Sequence, residues 1–339
     1  MSELAPVLDA LLADLDAGRP VALCTVLRTR GSTPQAPGAT MLVRADGKTL
    51  GTLGGGCVEA EVRKRAFEML RANQSGMLDF TLDHDYGWDD GLICGGRMFI
   101  GVMPMSREND AAPYRAALAA TRARQPAAFP IVIDAAPSGG GTSGIAGANS
   151  QDRPGVNAAS VAPRRERYTV HLEVPPTLLI AGAGHVGRAL ATLAVDLDFH
   201  VVVIDDRADY ASRERFDGRV ELVVGDIAAA LRGRAIDAGC YVVIVTRGHQ
   251  NDEKALDAVI RSPAGYIGLI GSRRKSRLIL DDLRAAGVPD DLLARVHTPI
   301  GLPINAVTVP EIAISIAAQL VQVRRSQLPV LVEGPIHTP

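Results

Sequence analysis

One segment constrains the fold more than any other: LLIAGAGHVGRALATLAVDLDFHVVVIDD, residues 178–206. An apolar run leads into glycines at 182, 184 and 187. A stretch with helical periodicity follows, then a β-branched run that ends in acids. In such a G-x-G-x-x-G turn the first glycine, Gly182, permits the tight turn. The second, Gly184, lets a pyrophosphate approach the backbone, and the third, Gly187, lets the helix pack closely on the strand. Asp205 closes the second strand about 21 residues after Gly184, where an acid commonly meets a ribose diol. That position favours NAD over NADP, although Arg207 beside it suits a 2′-phosphate. The strand–turn–helix–strand–acid order implies a Rossmann-type unit.

The alternation continues with VELVV, CYVVIVT, a helix from about Asn251, the strand GYIGLI and a helix from about Ser272. Strands alternating with helices at this spacing predict a doubly wound parallel sheet with right-handed crossovers. Ligands of such sheets sit beyond the carboxyl ends of the strands. Candidate contacts there are His185 in the glycine turn, Arg247 and His249 after CYVVIVT, and Ser272, Arg273, Arg274 and Lys275. Cations in the first turn of a helix oppose its macrodipole, so the Arg-Arg-Lys run points to a bound phosphate. His249, with Asp252 and Glu253, has the makings of an acid–base group or a metal ligand. The last helix starts at Val309, with Thr308 and Glu311 at capping-box spacing and Pro310 in its first turn.

The first half reads as mixed α and β. Leu4, Leu8, Leu11, Leu12 and Leu15 recur at helical spacing before Gly18. VALCTVL is a strand, the irregular loop RGSTPQAPG follows, and Asp46-Gly47 marks a hairpin. CVEAEVRKRAFEMLRAN is an amphipathic helix, and MLDFTL and RMFIGVM are strands bracketing an acidic loop and Cys94-Gly95-Gly96. Chemistry in this half centres on Cys57 and Cys94, each abutting a glycine run. A thiol at a helix N-terminus is biased toward thiolate, and bare glycine backbone admits a bulky ligand. The competing reading makes both thiols packing residues and the glycines turn residues. Cys24 and Cys240, inside strands, read as packing. The DHDYGWDDG loop does not fit a calcium-binding loop.

The chain of 339 residues predicts more than one domain. The stretch from Pro137 to Pro163 is rich in Gly, Ser, Ala and Pro without a period, and reads as a flexible linker. The expected division is an α+β domain over 1–135, a linker over 136–166, a Rossmann-like domain over 167–325 and a tail over 326–339. Composition narrows the function classes. Thirty-six basic against 38 acidic side chains leave a net charge of −2, with no electrostatic footprint for nucleic acid. Aromatics at 4% disfavour base-stacking platforms. No membrane span or basic, apolar leader is visible, and four scattered cysteines without a CxxC pair form neither a disulfide framework nor a zinc site. A cytoplasmic location is expected.

These blocks together resemble the XdhC/CoxI family, accessory factors that mature xanthine dehydrogenase and related molybdenum hydroxylases. The resemblance lies in ALCTVLRTRGSTPQAPGATMLV, GTLGGGCVEAEV and CGG, then IAGAGHVGRAL, IDDR, TRGHQNDEKAL, YIGLIGSRRK and PIGLPINAVTVPEIAISIAAQL. It implies a chaperone that binds molybdenum cofactor, the molybdopterin itself or its dinucleotide form. It further implies sulfuration of that cofactor with help from a cysteine desulfurase, insertion into a molybdenum hydroxylase, and a homodimer. Under this resemblance Cys57 is the first candidate for contact with molybdenum or for sulfur handling, and Cys94 the second. Two other readings stand beside it: an NAD(P)-dependent oxidoreductase, and a thiol redox or sulfur-carrier protein.

Overall fold

The computed structural model describes residues 4–82, 96–106, 111–134, 165–172, 174–326 and 331–337. It contains two compact units, 1–173 with 330–339, and 174–329.

The first unit runs α1 (Leu4–Asp16), β1 (Val21–Arg30), β2 (Thr40–Arg44), β3 (Thr49–Gly51), α2 (Gly56–Ala72), β4 (Gly76–Thr81), β5 (Arg97–Met105), α3 (Ala112–Arg122), β6 (Ala127–Asp134) and β7 (Arg165–Leu172). The first five strands form one antiparallel sheet in the order β3-β2-β1-β5-β4. Alternate residues of β1 serve two cores, which explains its unbroken apolar run. Val21, Leu23 and Leu27 meet α1, α3 and β6 on one face, while Ala22, Cys24 and Val26 meet α2 on the other. Burial pushes the Cys24 thiol up to about 12, as suits a packing residue. The Asp46-Gly47 hairpin forms as expected, with Gly47 at φ 79°.

The second unit runs β8 (Thr177–Ala181), α4 (His185–Asp196), β9 (His200–Asp205), β10 (Glu221–Val224), α5 (Ile227–Arg232), β11 (Cys240–Ile244), α6 (His249–Val259), β12 (Tyr266–Leu269), α7 (Arg273–Ala285), α8 (Asp290–Leu293), β13 (Val296–His297) and α9 (Val309–Ser326). Its six parallel strands lie in the order β10-β9-β8-β11-β12-β13, the doubly wound Rossmann order. Leu178, Ile180, Val201, Val203 and Val243 face α4 and α9, whereas Leu179, Val202, Val242 and Ile244 face α5, α6 and α7. The topological switch lies between β8 and β11, beside the glycine turn.

The expected domain limits need correction. β7 pairs antiparallel with β6 from Ala127↔Leu172 to Asp134↔Arg165, so residues before 173 belong to the first unit. A final strand, β14 (Val332–His337), pairs with β7, which returns the supposed tail to that unit as well. The Gly/Ser-rich segment therefore joins two paired strands of one unit instead of linking two domains. The signal was present in the alternation of Phe129, Ile131 and Ile133 on β6 and of Tyr168, Val170 and Leu172 on β7, all buried. Among the described residues no helix is long and apolar enough to cross a membrane.

The three turn glycines differ in what they tolerate. A Cβ on Gly187 would lie 2.0 Å from the Gly182 carbonyl oxygen, and one on Gly182, at φ 116°, would lie 2.5 Å from the Val245 carbonyl oxygen. Gly184 has nothing within 4 Å of its Cβ position. Gly187→Ala is expected to destabilise the protein by about 2 kcal/mol or more, and Gly184→Ala by less than about 0.5 kcal/mol, in denaturant unfolding. Equal effects would contradict this division.

Candidate functional site

At the carboxyl edge of the parallel sheet, helix N-termini differ in how their dipoles are met. Asp226 caps α5, its side chain accepting from the Ala229 N–H at 2.7 Å, and Ser272 caps α7, accepting from the Lys275 N–H at 3.3 Å. α6 carries Asp252 in its first turn. α4 has neither a side-chain cap nor an acid in its first turn, and it opens on Gly184, the glycine with free space before it. An uncompensated N-terminus with bare backbone is a ready anion site. His185, the first residue of α4, is exposed beside it.

Asp205 is 1% exposed and does not offer a free carboxylate. One oxygen accepts from the Ala183 N–H at 2.7 Å and Arg207 Nη2 at 3.0 Å; the other accepts from the Arg207 N–H at 3.0 Å and Nε at 2.8 Å. Burial raises its pKa, but the Arg207 guanidinium and the two N–H groups outweigh burial and hold it below the usual range. Its work here is to tie the glycine turn to the end of β9. The Arg207 guanidinium in turn lies 3.4 Å from the Tyr210 ring centroid, with Arg215 4.4 Å from the same centroid. The carboxylate that would accept from a ribose diol and the guanidinium that would meet a 2′-phosphate are thus already engaged with protein groups.

The Arg-Arg-Lys run divides in the same way. Lys275 Nζ donates to Asp252, which is 0% exposed and also accepts from Thr246 Oγ1 at 2.5 Å and the Thr246 N–H at 3.2 Å. This pair staples the loop after β11 to the first turn of α7. Arg273 and Arg274 are exposed and make no hydrogen bond or ion pair among the described residues, so they remain available to an anion. Arg247 is likewise exposed, and His249 begins α6 half-buried.

In the first unit, Cys57 is a free, half-buried thiol in the first turn of α2. The glycines before it have separate duties. A Cβ on Gly54, at φ 91°, would lie 2.3 Å from Gln35 Cγ and 2.8 Å from the Pro34 carbonyl carbon. Gly56 has nothing within 4 Å, and Gly55 only Pro34 Cγ at 3.8 Å. Gly54 therefore seats the turn on the 32–35 loop, while Gly55 and Gly56 leave bare backbone beside the thiol. The same loop requires Gly96, whose Cβ would lie 2.0 Å from the Ser32 carbonyl oxygen. Cys94, like the acidic 83–91 loop, lies outside the described residues.

Sequence reasoning missed Glu59. Its Oε1 accepts from Thr52 Oγ1 at 2.5 Å and from the N–H groups of Leu53 at 2.9 Å and Gly54 at 3.2 Å. Burial pushes its pKa up, but the Thr52 hydroxyl and the Leu53, Gly54 and Gly55 N–H groups together outweigh burial and hold it below 4.5. An acid in the first turn of a helix after a glycine run was the available signal. Lys275 and Asp252 were visible as residues, but their pairing across 23 positions was not.

A parallel sheet in Rossmann order, with its second turn glycine open, defines a Rossmann-fold protein that carries an added antiparallel, thiol-bearing unit. The chain belongs to the XdhC/CoxI family: residues 14–81 match the XdhC and CoxI family, and residues 178–320 match the XdhC Rossmann domain. It is 29% identical over 94% of its length to the uncharacterized protein YqeB of Escherichia coli (strain K12), of which it spans only 46%. A Bacillus subtilis (strain 168) protein named as a probable xanthine dehydrogenase subunit is 25% identical, with 96% of this chain and 98% of that one covered. The molybdenum cofactor insertion chaperone PaoD of E. coli (strain K12) is 24% identical over 92% of this chain and 86% of its own. Among solved structures, a Bacillus halodurans protein described as a xanthine dehydrogenase superposes with a TM-score of 0.73 at 26% identity, covering 96% of both chains.

Two measurements separate these roles. Lys275→Met leaves Asp252 buried and unpaired and should destabilise the protein by about 3 kcal/mol, whereas Arg273→Ala should change stability by less than about 0.5 kcal/mol in urea unfolding. The Glu59 carboxylate, its pKa depressed on folding, contributes stability that is present above pH 4.5 and lost as pH falls through its folded value. Glu59→Ala should therefore cost about 1–3 kcal/mol at pH 7, with a difference from wild type that shrinks as the pH falls through the lowered folded-state value. A pH-independent difference would contradict that origin.

Proposed function

We propose that the protein binds molybdenum cofactor and serves its maturation, delivering it to xanthine dehydrogenase or a related molybdenum hydroxylase. The observation that carries this reading is Cys57: a free thiol at a helix start, with side-chain-free Gly55 and Gly56 beside it and Gly54 and Glu59 fixing the turn. Family membership and the likeness to PaoD support it. When bound, the cofactor supplies a soft metal–dithiolene centre and a phosphate, or a pyrophosphate in its dinucleotide form.

The donor set fits such a group. A thiolate is a soft ligand, and Cys57 is the residue for contact with molybdenum or for handling sulfur. In the Rossmann unit, Gly182 and Gly187 shape the turn and Gly184 leaves the N-terminus of α4 open to phosphate. His185, Arg247, Arg273 and Arg274 stand exposed at that edge as further contacts. Lys275, Ser272 and Asp205 act one step back, holding the loops that present these groups. Cys94, close in sequence to Gly96, is the second thiol of the reading. The finer parts of the proposal are a cysteine desulfurase as sulfur donor, a homodimer and a cytoplasmic location.

The rival is a nicotinamide-dependent oxidoreductase, which the Rossmann order permits. Against it stands Asp205, whose oxygens are engaged by Ala183 and Arg207 and leave no acceptor for a ribose diol.

The test is to purify the protein anaerobically from cells making molybdenum cofactor, oxidise it, and assay the released pterin fluorescence beside Cys57→Ser. Pterin in the wild type with several-fold less in the variant is the expected result. Equal pterin in both would remove Cys57 from the site. Its absence from both, under conditions where a known carrier retains it, would overturn the proposal.

A further inference from the structure

We infer that His249, Glu253 and Asp282 form a binding site for a divalent transition-metal ion of the zinc type. The inference is independent of the cofactor reading. His249 and Glu253 are four residues apart on α6 and so share one face, and α7 brings Asp282 to them. One ligand atom from each lies within 4.8 Å of the others.

The hydrogen bonding at this spot leaves ligand atoms unengaged and free for a cation. His249 Nε2 lies 3.9 Å from Asp282 Oδ2, beyond hydrogen-bond length, and Nδ1 is shielded from solvent without a partner. Neither ring nitrogen is therefore hydrogen-bonded among the described residues. The half-buried Glu253 has no hydrogen bond or ion pair among them either. Lys275 does not compensate these acids, because it is held by Asp252. Two carboxylates and an imidazole thus converge with no hydrogen bond between them.

One imidazole nitrogen and two carboxylate oxygens are the donors that zinc accepts, at about 2.0–2.2 Å each. Drawing the three atoms to such distances requires side-chain movement of about an ångström, available because Asp282 is exposed and Glu253 has three rotatable side-chain bonds. Three protein ligands leave a coordination position open. The ion would join the start of α6 to the third turn of α7, adding a second tie to the Lys275–Asp252 staple. Both helices begin at the carboxyl edge of the sheet, so the tie would also stiffen the Thr246–His249 and Gly271–Lys275 loops.

The experiment is calorimetric titration of the full chain with zinc chloride after dialysis against chelator, in a Cys57→Ser/Cys94→Ser background that removes competing thiols. Magnesium chloride serves as the hard-cation comparison. One equivalent of zinc per chain is expected, with a rise in melting temperature and much weaker binding of magnesium. Asp282→Asn and His249→Ala should each weaken zinc binding about tenfold or more. Asp282 is exposed, so its variant decides the matter even where His249→Ala impairs folding. No stoichiometric binding, or binding unchanged in Asp282→Asn, would overturn the inference.

Discussion

Two buried carboxylates hold the carboxyl edge of the parallel sheet, and the geometry of the glycine turn and of the loop after β11 depends on them. Asp205 gathers the Ala183 N–H and the Arg207 guanidinium, and Asp252 gathers Thr246 and Lys275. An isolated buried carboxylate is unstable, so each exists only with its cation and its N–H donors in place. The consequence is directional. The glycine turn is fixed from the end of β9, and the loop after β11 is fixed from the start of α7. The edge is therefore set before any ligand arrives, which lowers the ordering entropy that binding would otherwise have to overcome.

The same economy governs the glycines of both units. Gly182, Gly187, Gly54 and Gly96 exist because backbone from elsewhere in the same unit lies where a side chain would go. Gly184 and Gly56 face open space, and a side chain on Gly55 would meet only Pro34 at ordinary contact distance. In each glycine-rich helix start, some positions build the turn and others leave it bare, so a glycine run there is neither wholly structural nor wholly a ligand cradle.

Much of this was legible in the sequence. The Rossmann order followed from the G-x-G-x-x-G turn and the alternation of strands and helices, because periodicity and turn chemistry are local signals. The three-stranded sheet was not, since β6 and β7 are separated by a low-complexity stretch that masks their pairing, and β14 lies beyond a whole second unit. Composition marked 136–166 as a break, and a break in composition says nothing about whether its two ends meet. At the site, exposed Arg273 and Arg274 could be read from the residue run, but Lys275 could not be distinguished from them. Its partner Asp252 becomes a neighbour only once α6 and α7 pack side by side.

The two units also divide two kinds of chemistry through their helix N-termini. At α2 the N–H groups leading into the helix are taken by Glu59, so its partial positive charge is already met by a carboxylate. A second anion gains little there, and what the turn presents is the Cys57 thiol on bare backbone. At α4 no side chain meets the dipole, and Asp205 secures the turn from behind through the Ala183 N–H without covering Gly184. Under the proposed function, phosphate would therefore go to α4 and the soft-ligand contact to α2. Exchanging the acids would invert that preference: an acid placed in the first turn of α4 would close the anion site by the same physics that closes α2.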